Sequence, residues 1–224
     1  MESRWRPTVW HLFNACFRLF MKRRLAGIYL AGLPENLPER TSVIMVANHV
    51  SWWDGFLLRE VHRRCVRRAP LYTMMLEEQL RRFPLFRWMG VFGIEPGALG
   101  SLRKAVLFIQ DRQRHEGVLW LSFFPQGRIW PSWRRPLGFQ PGLRLFARVL
   151  QPVVLLPVGL HLESLNRPSP SAFVWVGTPL VFAGGAAGVE EAEQQVALAL
   201  DAIFDLLQAH GEAMPSHWPG VRIL

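Results

Sequence analysis

A short apolar run that stops abruptly at two polar residues constrains this chain more than any other segment. Val43 to Ala47 is apolar and partly β-branched, which predicts a buried strand. The run ends at Asn48 and His49, and Ser51 with Asp54 then forms the S-x-x-D pattern typical of a helix start. The sequence therefore predicts a strand–turn–helix segment, with His49 at the carboxyl end of the strand and Asp54 in the first helical turn.

This turn gives His49 and Asp54 a possible chemical role. On one continuous helix, residues at this separation would point away from each other, whereas a turn lets them converge. An imidazole held by a carboxylate has a fixed tautomer and a raised basicity, which suits removal of a proton from a hydroxyl group. The alternative is that Asp54 only caps a helix and His49 only fills a turn.

Three further segments lie downstream of the His49 segment in the sequence. Leu119 to Phe124 is a second predicted buried strand, and it leads into the block Phe124-Pro125-Gln126-Gly127-Arg128. Gly90 to Pro96 is a glycine-containing apolar strand that lies between the first segment and this block. Val153 to Val158 is an apolar strand interrupted by a proline near its end. Together with the His49 segment, they make four ordered blocks.

The four blocks resemble the signatures of the glycerolipid acyltransferases, the lysophosphatidate acyltransferase-like family, over roughly residues 28 to 182. The resemblance implies that His49 and Asp54 are the catalytic pair of its H-x4-D motif. It also implies that the block from Phe124 to Arg128, which is similar to the family's Phe-Pro-Glu-Gly-Thr-Arg sequence, binds the acceptor. The acceptor-binding residues predicted in this way are Phe124, Pro125, Gln126, Gly127 and Arg128.

The chain departs from the family pattern where the family binds phosphate. Pro96 and Ile129 stand at the two arginine positions of the second and third blocks, and Arg128 stands at the threonine position. In the family those two arginines clamp the acceptor's phosphate, a task for which the guanidinium fork is well suited. Two readings stay open. Other arginines replace the clamp (the candidates are Arg103, Arg134 and Arg135), or the acceptor carries no phosphate.

Two more residues of these blocks differ from the family pattern. Glu95 replaces an aspartate in the second block, and Gln126 replaces the usual glutamate in the third. We expect Gln126 to hydrogen-bond a substrate hydroxyl and Arg128 to meet a phosphate or another anion.

Composition sets the class of protein. At 224 residues the chain suits one domain, and its net charge of +9 with 12% aromatic residues suits a surface that meets anionic lipid. Two cysteines make no disulfide framework, which indicates a reducing, cytoplasmic compartment. Metal-ligand spacings and the motifs of serine hydrolases, P-loop NTPases and dinucleotide enzymes are missing from the sequence, so we expect no metal and no cofactor.

The amino terminus carries a candidate membrane contact. Val9 to Met21 is apolar or aromatic nearly all round and is followed by the basic run 22–24, which predicts a membrane-associating helix within residues 1–26, lying in the plane of the membrane. The alternative is a helix that packs on the core. The longest uncharged run, Pro168 to Val189, contains three prolines and several glycines and is not a membrane span.

The remaining chain, residues 27–224, alternates strands with helices. This order predicts a single α/β domain with a mainly parallel sheet flanked by helices. We expect a helix from Glu77 to Trp88 that is kinked or broken at Pro84, an amphipathic helix capped by Ser101, and a last helix from Val189 to His210.

The resemblance implies transfer of a fatty acyl group from acyl-CoA or acyl carrier protein to a lipid hydroxyl, in phospholipid biosynthesis, by a peripheral protein on the cytoplasmic face of a membrane. A non-catalytic lipid-binding relative is the alternative, as is an acyltransferase for an aminolipid, a glycolipid or a hydroxylated pigment. Nucleic-acid binding is disfavoured, because the arginines are scattered in pairs and no recognition motif accompanies them. The oligomeric state stays open.

Overall fold

Hydrogen-bonded strands form one continuous mixed sheet at the centre of the protein. The computed structural model describes residues 17–38, 40–66, 69–184 and 187–224. Its strands are β1 (Gly27–Ala31), β2 (Ser42–Ala47), β3 (Leu71–Leu76), β4 (Val91–Ile94), β5 (Trp120–Phe123), β6 (Val153–Glu163), β7 (Ser171–Val176), β8 (Leu180–Val181) and β9 (Val221–Arg222). Its helices are α1 (17–24), α2 (Asp54–Cys65), α3 (Glu77–Arg82), α4 (Leu99–Glu116), α5 (Gly142–Val149) and α6 (Ala187–His210), with 3-10 helices at Pro84–Met89 and Gly211–Ser216.

The sheet has the order β4-β3-β5-β2-β6-β7-β1-β9, and β8 pairs with β6. β2 lies between β5 and β6 and is parallel to both, with Val46 opposite Phe123 on one side and Pro157 on the other. β3 is parallel to β4 and β5, so these strands end at the same edge as β2. The antiparallel pairs are β6 with β7, β6 with β8 and β1 with β9. The predicted α/β fold with a mainly parallel sheet is confirmed.

Both faces of the sheet are covered, which explains why β2 is apolar along its whole length. Val43 and Met45 pack in the cluster that contains the buried side chains of α2. Ile44 and Val46 point to the other face, where they join a cluster with buried residues of α4 and α5. A fully buried side chain of this size contributes about 1.5–3 kcal/mol. The central strand therefore holds the two helical layers together.

Three predicted helices can be compared with the structure. The predicted helix cap at Ser101 is wrong, because α4 begins at Leu99 and the Ser101 hydroxyl instead accepts the backbone N–H of Glu95 at 2.8 Å. The break predicted at Pro84 is confirmed, since α3 ends at Arg82 and a 3-10 helix begins at Pro84. The last helix is found close to its predicted bounds: α6 runs from Ala187 to His210 and buries one face, which contains Val189, Ala192, Val196, Ala199 and Ile203.

Residues 17–24 are the described part of the predicted amino-terminal helix, and residues 1–16 lie outside the described residues. Phe17 and Met21, one helical turn apart, are buried in the core. Leu19 and Phe20 are exposed, and the basic residues that follow are exposed as well. The described turns therefore pack one face on the core and leave an apolar and basic face open. None of the helices in the described ranges has the length and apolar composition needed to cross a bilayer.

We expect the buried imidazole of His62 on α2 to make the protein less stable in acid. Burial lowers the pKa of His62 to about 4, although its Nε2–H donates to the Ala69 carbonyl at 2.9 Å. As the pH falls from about 6.5 to about 4, the unfolded chain takes up a proton that the folded chain does not bind. The free energy of unfolding therefore falls as the pH is lowered from about 6.5 to about 4.

Denaturant unfolding of wild type and His62→Gln across this pH range tests the expectation. Across this pH range the free energy of unfolding of the variant should change by up to about 3 kcal/mol less than that of the wild type. A smaller slope should remain, because burial also lowers the pKa of His161. An unchanged slope in the variant would contradict the assignment to His62.

Candidate active site

His49 and the Phe124 block come together at the carboxyl edge of the sheet. β2 and β5 are parallel neighbours, so the residues that follow them leave the sheet side by side. The imidazole of His49 stacks on the Phe124 ring, with 4.6 Å between centroids. Open α/β sheets commonly bind ligands at this edge. The parallel pairing of β2 and β5 therefore brings the two segments together.

The His49 side chain is held by Asp54. His49 Nδ1 lies 2.7 Å from Asp54 Oδ2, and the side chains are 27% and 0% exposed. An ionised carboxylate only accepts hydrogen bonds, so Nδ1 carries the proton and Nε2 keeps its lone pair. Nε2 makes no hydrogen bond within the described part of the chain, and the ring lines a cavity. The pair therefore presents a base to the cavity.

The same carboxylate starts α2. Asp54 Oδ2 accepts the backbone N–H groups of Val50 at 2.6 Å and Ser51 at 2.9 Å, and Oδ1 accepts the Ser51 hydroxyl at 2.5 Å. Ser51 Oγ in turn accepts the backbone N–H of Trp53 at 3.1 Å. The Ser51 N–H bond to Asp54 is the half of a capping box that the S-x-x-D pattern predicts, whereas α2 begins at Asp54 and its N-cap residue, Trp53, makes no side-chain cap hydrogen bond. The helix amino terminus also favours the negative charge.

The backbone of His49 is fixed by the segment that follows β5. Its N–H donates to Gln126 Oε1 at 2.7 Å, and its carbonyl accepts the N–H of Trp130 at 2.8 Å. The Gln126 amide also donates through Nε2 to the Leu137 carbonyl at 2.9 Å. A neutral amide performs both tasks, whereas an ionised glutamate has no proton to donate. The glutamine that departs from the family pattern thus suits its local contacts.

Asn48 attaches the end of β2 to β6. Its Nδ2 donates to the Leu160 carbonyl at 2.9 Å, and its Oδ1 accepts the Leu160 N–H at 2.8 Å. Asn48 is 1% exposed, so these two bonds satisfy a buried amide. This side-chain contact continues the pairing of β2 with β6 beyond its last backbone pair, Ala47 with Val158. The residue before His49 is therefore held as firmly as the strand itself.

An apolar cavity of about 540 Å³ opens beside His49. It lies between α2, β3, the first 3-10 helix and β4, and residues of the Phe124 block line it at the His49 end. Most of its lining is aliphatic, aromatic or methionine: Trp52, Phe56, Leu71, Met74, Met75, Leu76, Phe83, Phe86, Met89, Val91, Ile94, Pro96, Phe124 and Ile129. Arg59 and Arg128 are its charged lining residues within the described chain, and burial lowers the pKa of Arg59 to about 10.

The structure divides the residues predicted to bind the acceptor. Phe124, Gly127 and Arg128 line the cavity with His49, whereas Pro125 and Gln126 do not. Gln126 is 6% exposed with both ends of its amide engaged, which differs from the expected contact with a substrate hydroxyl. Gly127 has φ +68°, a backbone conformation that favours glycine and turns the chain toward Arg128.

The arginines offered as replacements for the family's clamp have different surroundings. Arg135 is engaged in the fold, since it pairs with Asp201 at 2.6 Å and donates to the Ser132 carbonyl at 2.8 Å. Arg128 and Arg134 both lie over the Trp130 ring. Arg103 is an exposed residue of α4.

Sequence reasoning missed Trp130 and the structural partners of Asn48 and Gln126. Trp130 belongs to no motif, although its position just after the Phe124 block indicates that it lies near His49. Among the described residues, no group of His, Cys, Asp or Glu side chains is arranged to hold a metal ion.

Comparisons with known proteins agree with the blocks of the sequence. The sequence model of the acyltransferase family matches residues 31–161, more than half of the chain. No curated protein matches the chain in sequence. Among solved structures, the fold is similar to that of the 1-acyl-sn-glycerophosphate (LPA) acyltransferase PlsC from Thermotoga maritima. The similarity has a TM-score of 0.57 and 18% identity and covers 88% of this chain and 78% of that one. With the motifs in their predicted order and the family model across them, this chain belongs to the acyltransferase family.

Proposed function

We propose that the protein transfers a fatty acyl group from a thioester to the hydroxyl of a membrane lipid. The observation that carries the proposal is the His49–Asp54 pair, which presents an unbonded imidazole nitrogen to the end of a long apolar cavity. A base at one end and an apolar channel behind it are what acyl transfer to an alcohol requires. Membership of the acyltransferase family supports the same chemistry.

The chemical step follows from the hydrogen bonds of His49. Nε2 takes the proton of the acceptor hydroxyl while the hydroxyl oxygen attacks the thioester carbonyl. Asp54 holds the Nδ1–H and stabilises the charged imidazolium. As the tetrahedral intermediate collapses, the carbon–sulfur bond breaks and the imidazolium returns the proton to the leaving thiolate. No acyl-enzyme is needed, because the thioester is already activated. Positioned proton transfer of this kind contributes about 10²- to 10⁴-fold in rate.

The cavity suits the acyl chain of the donor. Residues from both ends of β3, Leu71 and Leu76, line it, and a strand of this length spans about 16 Å at about 3.3 Å per residue. Because β3 is parallel to β2 through β5, Leu76 lies toward the His49 edge and Leu71 toward the opposite edge. An acyl chain therefore extends from His49 toward Leu71. The donor is acyl-CoA or acyl carrier protein.

The acceptor is proposed to be a lysophospholipid in the lipid surface on which the protein sits. Support comes from the structural neighbour PlsC, which is a 1-acyl-sn-glycerophosphate acyltransferase. It also comes from exposed apolar side chains near the cavity, where Phe20 contacts Trp52 and Trp52 contacts Phe83. The exposed basic run 22–24 lies next to Phe20 in sequence, and the net charge of +9 favours anionic lipid. We place the protein at the cytoplasmic face as a peripheral protein.

We expect His49→Ala to lower kcat for acyl transfer by about 10²- to 10⁴-fold, because the base is removed. Asp54→Asn should lower kcat as well, since the amide no longer stabilises an imidazolium. The measurement is transfer of a radiolabelled acyl group from a thioester to a panel of lysolipids. His115→Ala, an exposed histidine of α4, is the matched control and should retain wild-type activity. If His49→Ala kept most of the activity, the proposed function would fail. Binding of lipid without transfer by the wild type would favour a non-catalytic relative.

Gln126 is expected to act as a positioning residue for His49. Gln126→Ala removes both hydrogen bonds and should lower kcat about 10-fold while the pH dependence keeps its wild-type position. Gln126→Glu places a carboxylate beside the His49 backbone, so the acid limb of the kcat/KM profile should move to higher pH because the imidazolium is favoured. The measurement is the kcat/KM–pH profile of the two variants beside the wild type. Equal profiles for both variants would show that Gln126 has only a structural role.

We expect Val91 to limit the length of the acyl chain. It lines the cavity at the start of β4, at the edge opposite His49. Val91→Phe should lower kcat/KM for the longest acyl thioesters and leave the short ones unaffected, and Val91→Ala should have the opposite tendency. The measurement is kcat/KM over a series of thioesters of increasing chain length. A uniform loss at all lengths would indicate overpacking of the core and would contradict the proposed path of the chain.

A further inference from the structure

We infer that Ser132 and His161 are positioning residues for the base, because they hold the segment after β5 against β6. We call these two residues the β6 anchor. The inference rests on the proposed function, since it concerns the base of acyl transfer. Neither Ser132 nor His161 is among the described residues that line the cavity beside His49. The β6 anchor therefore acts through the backbone that carries the base.

The segment between β5 and α5 depends on side-chain contacts for its position. Residues 124–141, all of which the structure describes, form no helix or strand. Ser132 is 4% exposed, although its neighbours Pro131 and Trp133 are exposed. A buried hydroxyl is costly without a hydrogen-bond partner. The Ser132 hydroxyl has such a partner, since its oxygen lies 2.7 Å from Nδ1 of His161.

His161 is the polar side chain in the buried part of β6. Residues 153–161 are buried, and the others are Val, Leu, Pro or Gly. Burial lowers the pKa of His161, which favours the neutral imidazole. Glu163 Oε2 lies 3.6 Å from Nε2, and this carboxylate favours the tautomer with its proton on Nε2. Nδ1 then keeps its lone pair and accepts the Ser132 O–H.

The backbone next to Ser132 contacts the residue that supplies the base. Trp130, two residues earlier in the chain, donates its backbone N–H to the His49 carbonyl at 2.8 Å. Only about 7 Å of extended chain separates two residues at this spacing. A Ser132 side chain held on β6 therefore restricts the movement of Trp130 and, through it, of the His49 backbone. A displacement of about 1 Å in a catalytic group can lower a rate about 10²-fold.

The β6 anchor completes a ring of contacts around the base. Asn48 exchanges two hydrogen bonds with the backbone of Leu160, at 2.9 Å and 2.8 Å. His161 follows Leu160 in β6, so one strand contacts both the residue before His49 and the segment that binds its carbonyl. The β6 anchor consists of side chains alone. It can therefore be removed without breaking a backbone pair of the sheet.

Amide exchange and kinetics on the full-length protein test the β6 anchor. Ser132→Ala and His161→Leu should each accelerate hydrogen exchange of the Trp130 amide and lower kcat about three- to tenfold with KM unchanged, because one hydrogen bond is lost. The double variant should lose no more than either single variant, since the two side chains act as a pair. His161→Asn should retain most of kcat, because the amide oxygen is bonded to Cγ, as Nδ1 is, and accepts the same O–H.

Ser42→Ala is the matched control. Its hydroxyl is also buried, but it lies at the start of β2, at the edge of the sheet opposite His49, where it accepts the Leu119 N–H at 3.3 Å. This variant should keep wild-type kcat and wild-type exchange at Trp130. Circular dichroism establishes that each variant is folded. If His161→Leu does not fold, Ser132→Ala decides, because it removes only an oxygen atom.

The outcomes separate the β6 anchor from the proposed function. Faster exchange at Trp130 together with lower kcat in Ser132→Ala, and neither in Ser42→Ala, supports the inference. Unchanged exchange or unchanged kcat in Ser132→Ala overturns it, and so does an equal loss of kcat in the control. A wild type that transfers no acyl group contradicts the proposed function instead. Exchange at Trp130 then decides alone whether the β6 anchor holds the His49 backbone.

Discussion

The buried carboxylate of Asp54 is the interaction on which the rest of the site depends. A carboxylate without exposure is costly unless hydrogen bonds compensate for lost hydration. Asp54 receives such bonds from His49 Nδ1, from the backbone of Val50 and from both the backbone and the hydroxyl of Ser51. One group therefore ends the turn after β2, starts α2 and fixes the tautomer of the base. The geometry of the His49–Asp54 pair is therefore coupled to the start of a core helix.

The site also requires that the segments following two adjacent strands lie next to each other. β2 carries His49 and β5 carries the Phe124 block, and Gln126 joins them by accepting the His49 N–H. The same amide donates to the Leu137 carbonyl, so the loop after β5 is tied to the base and to its own distal part. A neutral amide meets both demands. The difference from the family pattern at this position thus has a local physical reason.

The apolar cavity and the charged groups near its end have complementary roles. α2 and the 3-10 helix Pro84–Met89 cover one face of β3 and β4 without filling the space between them, which leaves an apolar channel behind His49. The opposite face is closed by α4 and α5, whose side chains pack directly on β2 and β5. Arg128 stands at the polar end of the channel with its guanidinium over Trp130. The same layer structure therefore separates the apolar part of the channel from its basic end.

Local signals in the sequence were sufficient for β2, for the start of α2 and for the pairing of His49 with Asp54, because strand periodicity and helix capping act over a few residues. The family resemblance supplied the prediction that the Phe124 block binds the acceptor, but not the geometry within that block. Only the tertiary structure decided that Gln126 contacts His49, a contact between residues 77 positions apart, and that Arg134 lies over the Trp130 ring whereas Arg135 pairs with Asp201. Such choices depend on which loops a sheet brings together, and no short stretch of sequence contains that information.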